Sequence, residues 1–203
     1  MTANDVDAAL AAPLDEVGAR LAAIAEDQWF ERKSIRIHAK DLGRPLVALA
    51  NAEGGVIVVG IAAGQVEGLR NHLGKLNELR QAPMDFTVPP VRARFDQQRC
   101  RNQDGETDSL LVIRVDPSEV VHELTNGEVY LRVGDESRRL GFAARQELQF
   151  DKGQSQYDGQ PAPGVGVEVL DDGLIKNYRS RTGATGTTRQ LLSARSLLTT
   201  KGT

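Results

Sequence analysis

Residues 41–61 read DLGRPLVALANAEGGVIVVGI and form the most strongly patterned segment of the sequence. Apolar residues recur at helical spacing at Leu42, Leu46, Leu49 and Ala50. Pro45 suits the first turn of a helix, and the Gly54-Gly55 pair suits its end. The run from Val56 to Val59 is uninterrupted and β-branched, which is typical of a strand covered on both faces. We therefore predict a helix, a glycine turn and a buried strand, with the rest of the chain packed around this unit.

Composition limits the classes of protein to consider. The chain has 203 residues, of which 40% are hydrophobic, enough for one domain with a proper core plus an appendage. The formal net charge is -3, so nucleic-acid binding would require local segregation of basic residues. Aromatic residues make up only 4%, which leaves few surfaces for stacking single-stranded bases. One cysteine, Cys100, excludes an internal disulfide, and no segment suits a membrane span, so we expect a cytoplasmic protein.

The segments before this unit should cover the strand. An apolar stripe predicts a docking helix in residues 1–27, beginning near Pro13. From Trp29 to His38 the period changes to strict alternation, which predicts a strand. Glu31 and Lys33 share one face, at a point where that face should leave the core and enter a cleft. The other face carries a cationic row, either solvated or facing phosphate, of Arg32, Arg36 and His38.

The segments after this unit predict further strands and helices. We expect a hairpin return over Gln65–Leu69, a short helix over His72–Leu79, and a final helix over Gly141–Leu148. Two strands, Val91–Phe95 and Leu110–Val115, should flank a long polar loop from Asp96 to Asp108. Asn126-Gly127 is a hairpin turn signal that would join His122–Leu124 to Glu128–Val133.

Composition changes after Phe150. The predicted organisation is a domain over 1–148, a linker over 149–169 and a helical connector over 170–203, with helices at Asp172–Arg181 and Thr188–Leu198. The leucines of these last helices are too few for a second core, so we expect them to pack on another copy or to belong to a longer protein. The predicted fold class is α+β, with a mixed, largely antiparallel sheet and helices packed on it.

The most distinctive polar cluster is Glu26, Glu31 and Lys33. A helix ending near Asp27 and a strand beginning near Trp29 would let the two carboxylates converge across the corner. Paired carboxylates beside a lysine can hold a divalent metal and orient a phosphodiester, or they can form a structural salt-bridge cluster. The three histidines lack the spacing of metal ligands.

These residues resemble a known family. The motifs are Glu26, Glu31-Arg32-Lys33, Asn51-Ala52-Glu53-Gly54-Gly55 with Gly60, and Tyr130-Leu131-Arg132-Val133-Gly134 with Ser137-Arg138. Together they are similar to the Schlafen/AlbA-type DNA-binding domain of bacterial transcriptional regulators and RecG-related, divergent ATPase proteins, over roughly Leu14–Leu148. Residues 146–198 resemble the connector that precedes a GHKL-like ATP-binding region in actinobacterial members. That region lies outside this sequence, so ATP binding is not expected of this chain.

The resemblance implies a role for each matching position. In nucleolytic Schlafens, glutamates matching Glu26 and Glu31 join an aspartate just after the central strand to form an RNA-cleaving site. The matching place here, Ile61-Ala62-Ala63, holds no acid, and Glu53 or Asp85 could substitute in space. Two carboxylates hold a metal less well than three, so we expect Glu26, Glu31 and Lys33 to be a retained cluster without catalysis.

The predicted function is nucleic-acid binding, with DNA preferred to RNA, by a module of a bacterial regulator or RecG-related protein. Candidate phosphate contacts are Arg32, Lys33, Arg36, Arg92, Arg94, Arg132, Arg138 and Arg139. Schlafen cores pair two lobes around a basic valley, which a single lobe would build as a homodimer. Two alternatives remain open, a metal-dependent endoribonuclease using Mg²⁺ or Mn²⁺ and a dimerisation or protein-interaction module. No other cofactor is expected.

Overall fold

The computed structural model describes residues 3–153, 166, 169–183 and 186–194. Residues 1–155 and 156–203 form two compact units. The helices of the first unit are α1 (Ala3–Leu10), α2 (Leu14–Ala23), α3 (Ala39–Asn51), α4 (Leu76–Phe86) and α5 (Phe142–Asp151), with a 3₁₀ helix at Arg70–Lys75. Its strands are β1 (Phe30–Lys33), β2 (Gly55–Val59), β3 (Ile61–Ala62), β4 (Gln65–Val66), β5 (Thr87–Val88), β6 (Ala93–Arg101), β7 (Thr107–Val115), β8 (Glu123–Leu124), β9 (Tyr130–Val133) and β10 (Glu136–Arg139).

The predicted central unit is confirmed. Helix α3 ends at Asn51, and positive φ angles are adopted by Gly54 and by Gly55, the first residue of β2. A Cβ on Gly55 would lie 2.5 Å from the carbonyl oxygen of Trp29, so only glycine fits the close approach of these backbones. Pro45 lies inside α3 and not in its first turn, because the helix already begins at Ala39.

The main sheet has the order β1-β2-β7-β6. Strands β1 and β2 are parallel, and the other two pairs are antiparallel, which confirms the mixed, largely antiparallel α+β fold. One face of β2 presents Ile57 and Val59 to a core cluster shared with α3 and α4. Its other face presents Val56 and Val58 to a second cluster shared with α1 and α2. Strand β2 is therefore covered on both faces, as its continuous apolar run predicts.

The predicted strand over Trp29–His38 is too long. Strand β1 ends at Lys33, and the chain turns because the Ser34 hydroxyl donates to Glu67 (2.6 Å) and accepts from the Arg36 amide (3.1 Å). The turn places Arg36 outside the strand that carries Arg32, so the predicted cationic row does not exist as one strand face. Local side-chain hydrogen bonds here override the alternating pattern.

The predicted long loop over Asp96–Asp108 is also wrong. Strands β6 and β7 pair in unbroken register from Ala93–Val115 to Arg101–Thr107, which leaves only residues 102–106 as a turn. Much of β6 is exposed, so its polar sequence resembles a loop although it is a strand. Position at the outside of the sheet, and not local propensity, explains this miss.

The remaining predictions are confirmed in part. A turn forms at Asn126-Gly127, but β8 pairs with β5 and β9 pairs with β10. The hairpin return is present as β3 and β4, and the short helix continues as α4 to Phe86. The final helix of the first unit is α5.

The second unit contains α6 (Asp172–Thr182) and α7 (Thr188–Ala194). The Asp171 carboxylate accepts a hydrogen bond from the Leu174 amide at 2.9 Å and caps α6. Most of the predicted linker and the end of the predicted last helix lie outside the described residues. Among the described residues, no helix is long and apolar enough to cross a membrane.

Candidate functional site

Glu31 and Arg132 form a buried ion pair between β1 and β9. Arg132 Nη1 donates to one carboxylate oxygen of Glu31, and Lys33 Nζ donates to the other. The Arg132 Nε atom donates to the Asp27 carbonyl (2.9 Å), and its Nη2 atom donates to the Phe30 carbonyl (3.0 Å). The Arg132 side chain is 1% exposed and the Glu31 side chain 4%. The guanidinium therefore joins two segments that are about a hundred residues apart in the chain.

Glu26 stabilises the approach to β1. Its Oε1 atom accepts a hydrogen bond from the Arg32 amide at 3.0 Å and lies 3.9 Å from Arg32 Nε. The Arg32 guanidinium also donates to the carbonyl of Ala22, near the end of α2. These bonds hold the corner between α2 and β1, so Arg32 is engaged within the fold.

The carboxylates of Glu26 and Glu31 line a cleft of about 440 Å³, which we name the acidic cleft. Its other charged lining residues are Lys33, Asp41, Arg44, Arg132, Asp135 and Glu136. Five acids thus face three bases. The mixture disfavours a bare phosphate inside the cleft, because its acids would repel the phosphate charge.

The acidic cleft does not fit a divalent metal. Both oxygens of Glu31 already accept hydrogen bonds from cations. Among the described residues, no group of three or more acidic, histidine or cysteine side chains is arranged to hold a metal ion. Glu53 instead accepts a hydrogen bond from Trp29 Nε1 at 2.9 Å. Neither Glu53 nor Asp85 lines the acidic cleft.

Basic side chains stand exposed beside the acidic cleft. Arg138 and Arg139 lie on β10, 62% and 67% exposed, with carboxylate partners Glu136 (3.5 Å) and Glu128 (3.3 Å). Arg44 on α3 lines the cleft, and its guanidinium carbon lies 5.4 Å from the centre of the Tyr130 ring. Sequence reasoning missed Arg44, although its place on the exposed side of the predicted helix was a readable signal. These three cations form what we name the β10 basic rim.

The other predicted phosphate contacts are distributed elsewhere. Arg36 is 77% exposed, lies 3.8 Å from Glu67 and lines a separate cavity of about 400 Å³. Arg92 lines a third cavity of about 620 Å³, and Arg94 is 69% exposed and pairs with Asp116 at 3.1 Å. Lys33 is held by Glu31. Arg132 is buried and its guanidinium donates to Glu31 and to two carbonyls, so it has no surface for a phosphate.

Local hydrogen bonds determine the ionisation of Glu128, the carboxylate partner of Arg139 in the β10 basic rim. Hydrogen bonds from Asn126 and Tyr130 lower the pKa of Glu128 and favour its charged form. Burial raises the pKa of Tyr130, and its hydroxyl donates to Glu128 at 3.0 Å. Glu128 therefore stays charged as a partner of Arg139.

Asn51 ties α3 to the segments that lead to β9. Its amide donates to the carbonyls of His122 and Tyr130, both at 2.8 Å, and its carbonyl accepts from the His122 amide at 2.8 Å. His122 is buried, with ring nitrogens 2.6 Å from the Pro89 carbonyl and 2.8 Å from the Ser118 hydroxyl. Burial lowers the pKa of His122.

Comparison with known proteins gives one family and a distant structural likeness. The family described as "Schlafen, AlbA_2" matches residues 26–141, which include the acidic cleft and the β10 basic rim. The chain is similar to the crystal structure of the DIP2311 protein from Corynebacterium diphtheriae, with 19% identity and a TM-score of 0.48. That match covers 98% of this chain and 37% of the other. No curated protein matches.

Proposed function

This chain belongs to the Schlafen AlbA_2 family, and we propose that residues 26–141 bind nucleic acid through the β10 basic rim. The observation that carries the proposal is the rim itself. Arg138 and Arg139 are exposed at neighbouring positions of β10, and the charges of Arg139 and Arg44 both act on the Glu128 carboxylate. Guanidinium groups so placed can contact successive phosphates of a backbone.

The carboxylate partners do not prevent this binding. Exposed ion pairs are worth at most about 1 kcal/mol, so a phosphate can replace Glu136 or Glu128 with little loss. The acidic cleft beside the rim repels phosphate and would keep the backbone on the rim. The expected contacts are therefore Arg44, Arg138 and Arg139, with Arg36, Arg92 and Arg94 available to a longer ligand.

Duplex DNA is the ligand we propose, with the chain acting as a binding module of a bacterial regulator or RecG-related protein in the cytoplasm. Few aromatic residues are available to stack exposed bases, which favours a duplex over a single strand. The metal-dependent endoribonuclease is the weaker alternative, because both Glu31 oxygens are held by Arg132 and Lys33.

Fluorescence anisotropy would test the proposal. Labelled duplex DNA and a structured RNA are titrated with the chain at several salt concentrations without metal. We expect stronger binding to DNA that weakens steeply with salt. The Arg138→Ala/Arg139→Ala variant should reduce the slope of log affinity against log salt by about 2.

A matched control removes two other paired arginines. Arg20 pairs with Glu16 on α2, and Arg70 pairs with Glu106; both are more than half exposed, like the rim arginines. Arg20→Ala/Arg70→Ala should leave the slope unchanged. Equal slopes for the two double variants, or no binding by the wild-type chain, would contradict the proposal. Cleavage of RNA in Mg²⁺ or Mn²⁺ that is lost in Glu31→Ala would support the alternative.

A further inference from the structure

Strand β6 forms an open edge of the main sheet. It is the outer strand in the order β1-β2-β7-β6 and pairs with β7 without a bulge along Ala93–Arg101. Proteins commonly protect such edges with proline, a bulge, a short strand or charged side chains, because exposed backbone groups can pair with another chain. Strand β6 contains no proline and no bulge, and the charges in its first half are of both signs, at Arg94 and Asp96.

The hydrogen bonds between β6 and β7 show which backbone N–H and C=O groups of β6 point away from the sheet. The Asp116 amide donates to the Arg92 carbonyl at 3.4 Å, and the Asn102 amide donates to the Glu106 carbonyl at 3.0 Å. Hydrogen-bonded pairs alternate in an antiparallel ladder, so even-numbered β6 residues face β7. The backbone groups of Ala93, Phe95 and Gln97 then point away, and within the described residues they have no hydrogen-bond partner.

The far end of β6 is covered. A Cβ on Gly18 of α2 would lie 3.0 Å from the Arg101 carbonyl oxygen, and the Gln103 amide donates to the Val66 carbonyl at 2.9 Å. The open part of the edge is therefore the first half of the strand, around residues 93–97.

We propose that this open edge pairs antiparallel with the same edge of a second copy, about a two-fold axis beside Phe95. Arg94 of each copy then lies opposite Asp96 of the other, which gives two ion pairs between directly opposite residues. A two-fold axis beside Arg94 would place the two Arg94 side chains opposite each other, and an axis beside Asp96 would do the same for the two Asp96 side chains, so like charges would face each other. An axis at Gln97 would require the end that α2 covers.

Side-chain exposure agrees with this register. Arg94 is 69% exposed, and its partner Asp116 is 52% exposed, so Arg94 can exchange partners at small cost. Asp96 is exposed and has no ion-pair partner among the described residues. The contact is isologous and each copy uses this edge once, so the assembly closes as a dimer. The inference does not depend on the β10 basic rim, although in the dimer Arg94 would pair with Asp96 and would not contact nucleic acid.

Charge reversal would test the register, with mass measured by sedimentation velocity. We expect the full wild-type chain to dimerise as its concentration rises to roughly millimolar, because a small edge interface binds weakly. Arg94→Asp makes both positions acidic, and Asp96→Arg makes both basic. Each change should weaken self-association roughly ten- to a hundredfold, and an equimolar mixture should dimerise again.

The control is Asp104→Arg, which makes the same charge change in the turn after β6 and should leave the dimer intact. Circular dichroism verifies that each variant is folded. A wild-type chain that stays monomeric throughout, or folded variants that dimerise like wild type, would overturn the proposal. So would a mixture that remains monomeric while the wild type dimerises.

Discussion

Replacing Arg132 by methionine should destabilise the first unit strongly. The change removes the cation from a carboxylate that is 4% exposed and takes a donor from the Asp27 carbonyl. The Phe30 carbonyl also loses its bond to Arg132 but keeps the one from the Asp27 amide at 3.1 Å. Breaking a buried pair in this way typically costs 3–5 kcal/mol. Lys33 still donates to Glu31, so we expect a loss of about 3 kcal/mol in the free energy of unfolding. That is a large fraction of the ~5–15 kcal/mol of a typical domain.

Urea unfolding followed by the fluorescence of Trp29 would measure this loss. Trp29 is the single tryptophan and directly precedes β1, so its signal reports on the unit that contains the ion pair. A matched control, Arg139→Met, makes the same substitution at a 67%-exposed residue of the adjacent strand and should cost less than about 1 kcal/mol.

A double variant separates charge from packing. Glu31→Gln in the Arg132→Met background removes the stranded charge and should restore more than about 1 kcal/mol. The reasoning is refuted if Arg132→Met costs no more than Arg139→Met. It is equally refuted if the double variant is less stable than Arg132→Met alone, since the buried carboxylate would then not be the source of the cost.

Three further predictions concern other parts of the first unit. In thermal unfolding, Gly68→Ala should lower the melting temperature of the protein by more than Gly64→Ala. Both glycines have positive φ, but a Cβ on Gly68 would clash with the Asp108 carboxylate, whereas a Cβ on Gly64 would meet nothing within 4 Å. Because burial lowers the pKa of His122 below 6.5, the unfolded chain takes up the proton first. The contribution of neutral His122 to the free energy of unfolding should therefore be fully present above pH 6.5 and should be lost as the pH falls below it. In urea unfolding at several pH values, the free energy of unfolding of His122→Gln should fall less steeply with decreasing pH than that of the wild type. Burial raises the pKa of the Cys100 thiol to about 11, so a thiol reagent at neutral pH should label the chain in urea and spare the folded protein; rapid labelling without urea would contradict the burial of Cys100.

The sequence predicted an element correctly where several local signals indicate the same structure. The stretch from Leu42 to Val59 was readable because helical spacing, a glycine stop and a β-branched run all indicate the same structure. The resemblance in Glu31 and Arg132 identified the family from residues alone. By contrast, the sequence predicts a loop for the part of β6 from Asp96 to Arg101, because an exposed outer strand lacks the apolar alternation that marks a strand.

Periodicity and short motifs were enough to predict the central helix–turn–strand unit, the α+β class and the family. The environments of the charged residues became known only from the folded chain. Arg132 reads as a surface cation in its own segment, yet it is buried because Glu31 and two carbonyls meet it from across the fold. Arg44 likewise lies beside Tyr130, a residue distant in the sequence. A side chain's environment is set by partners distant in sequence, and local propensity contains no record of them.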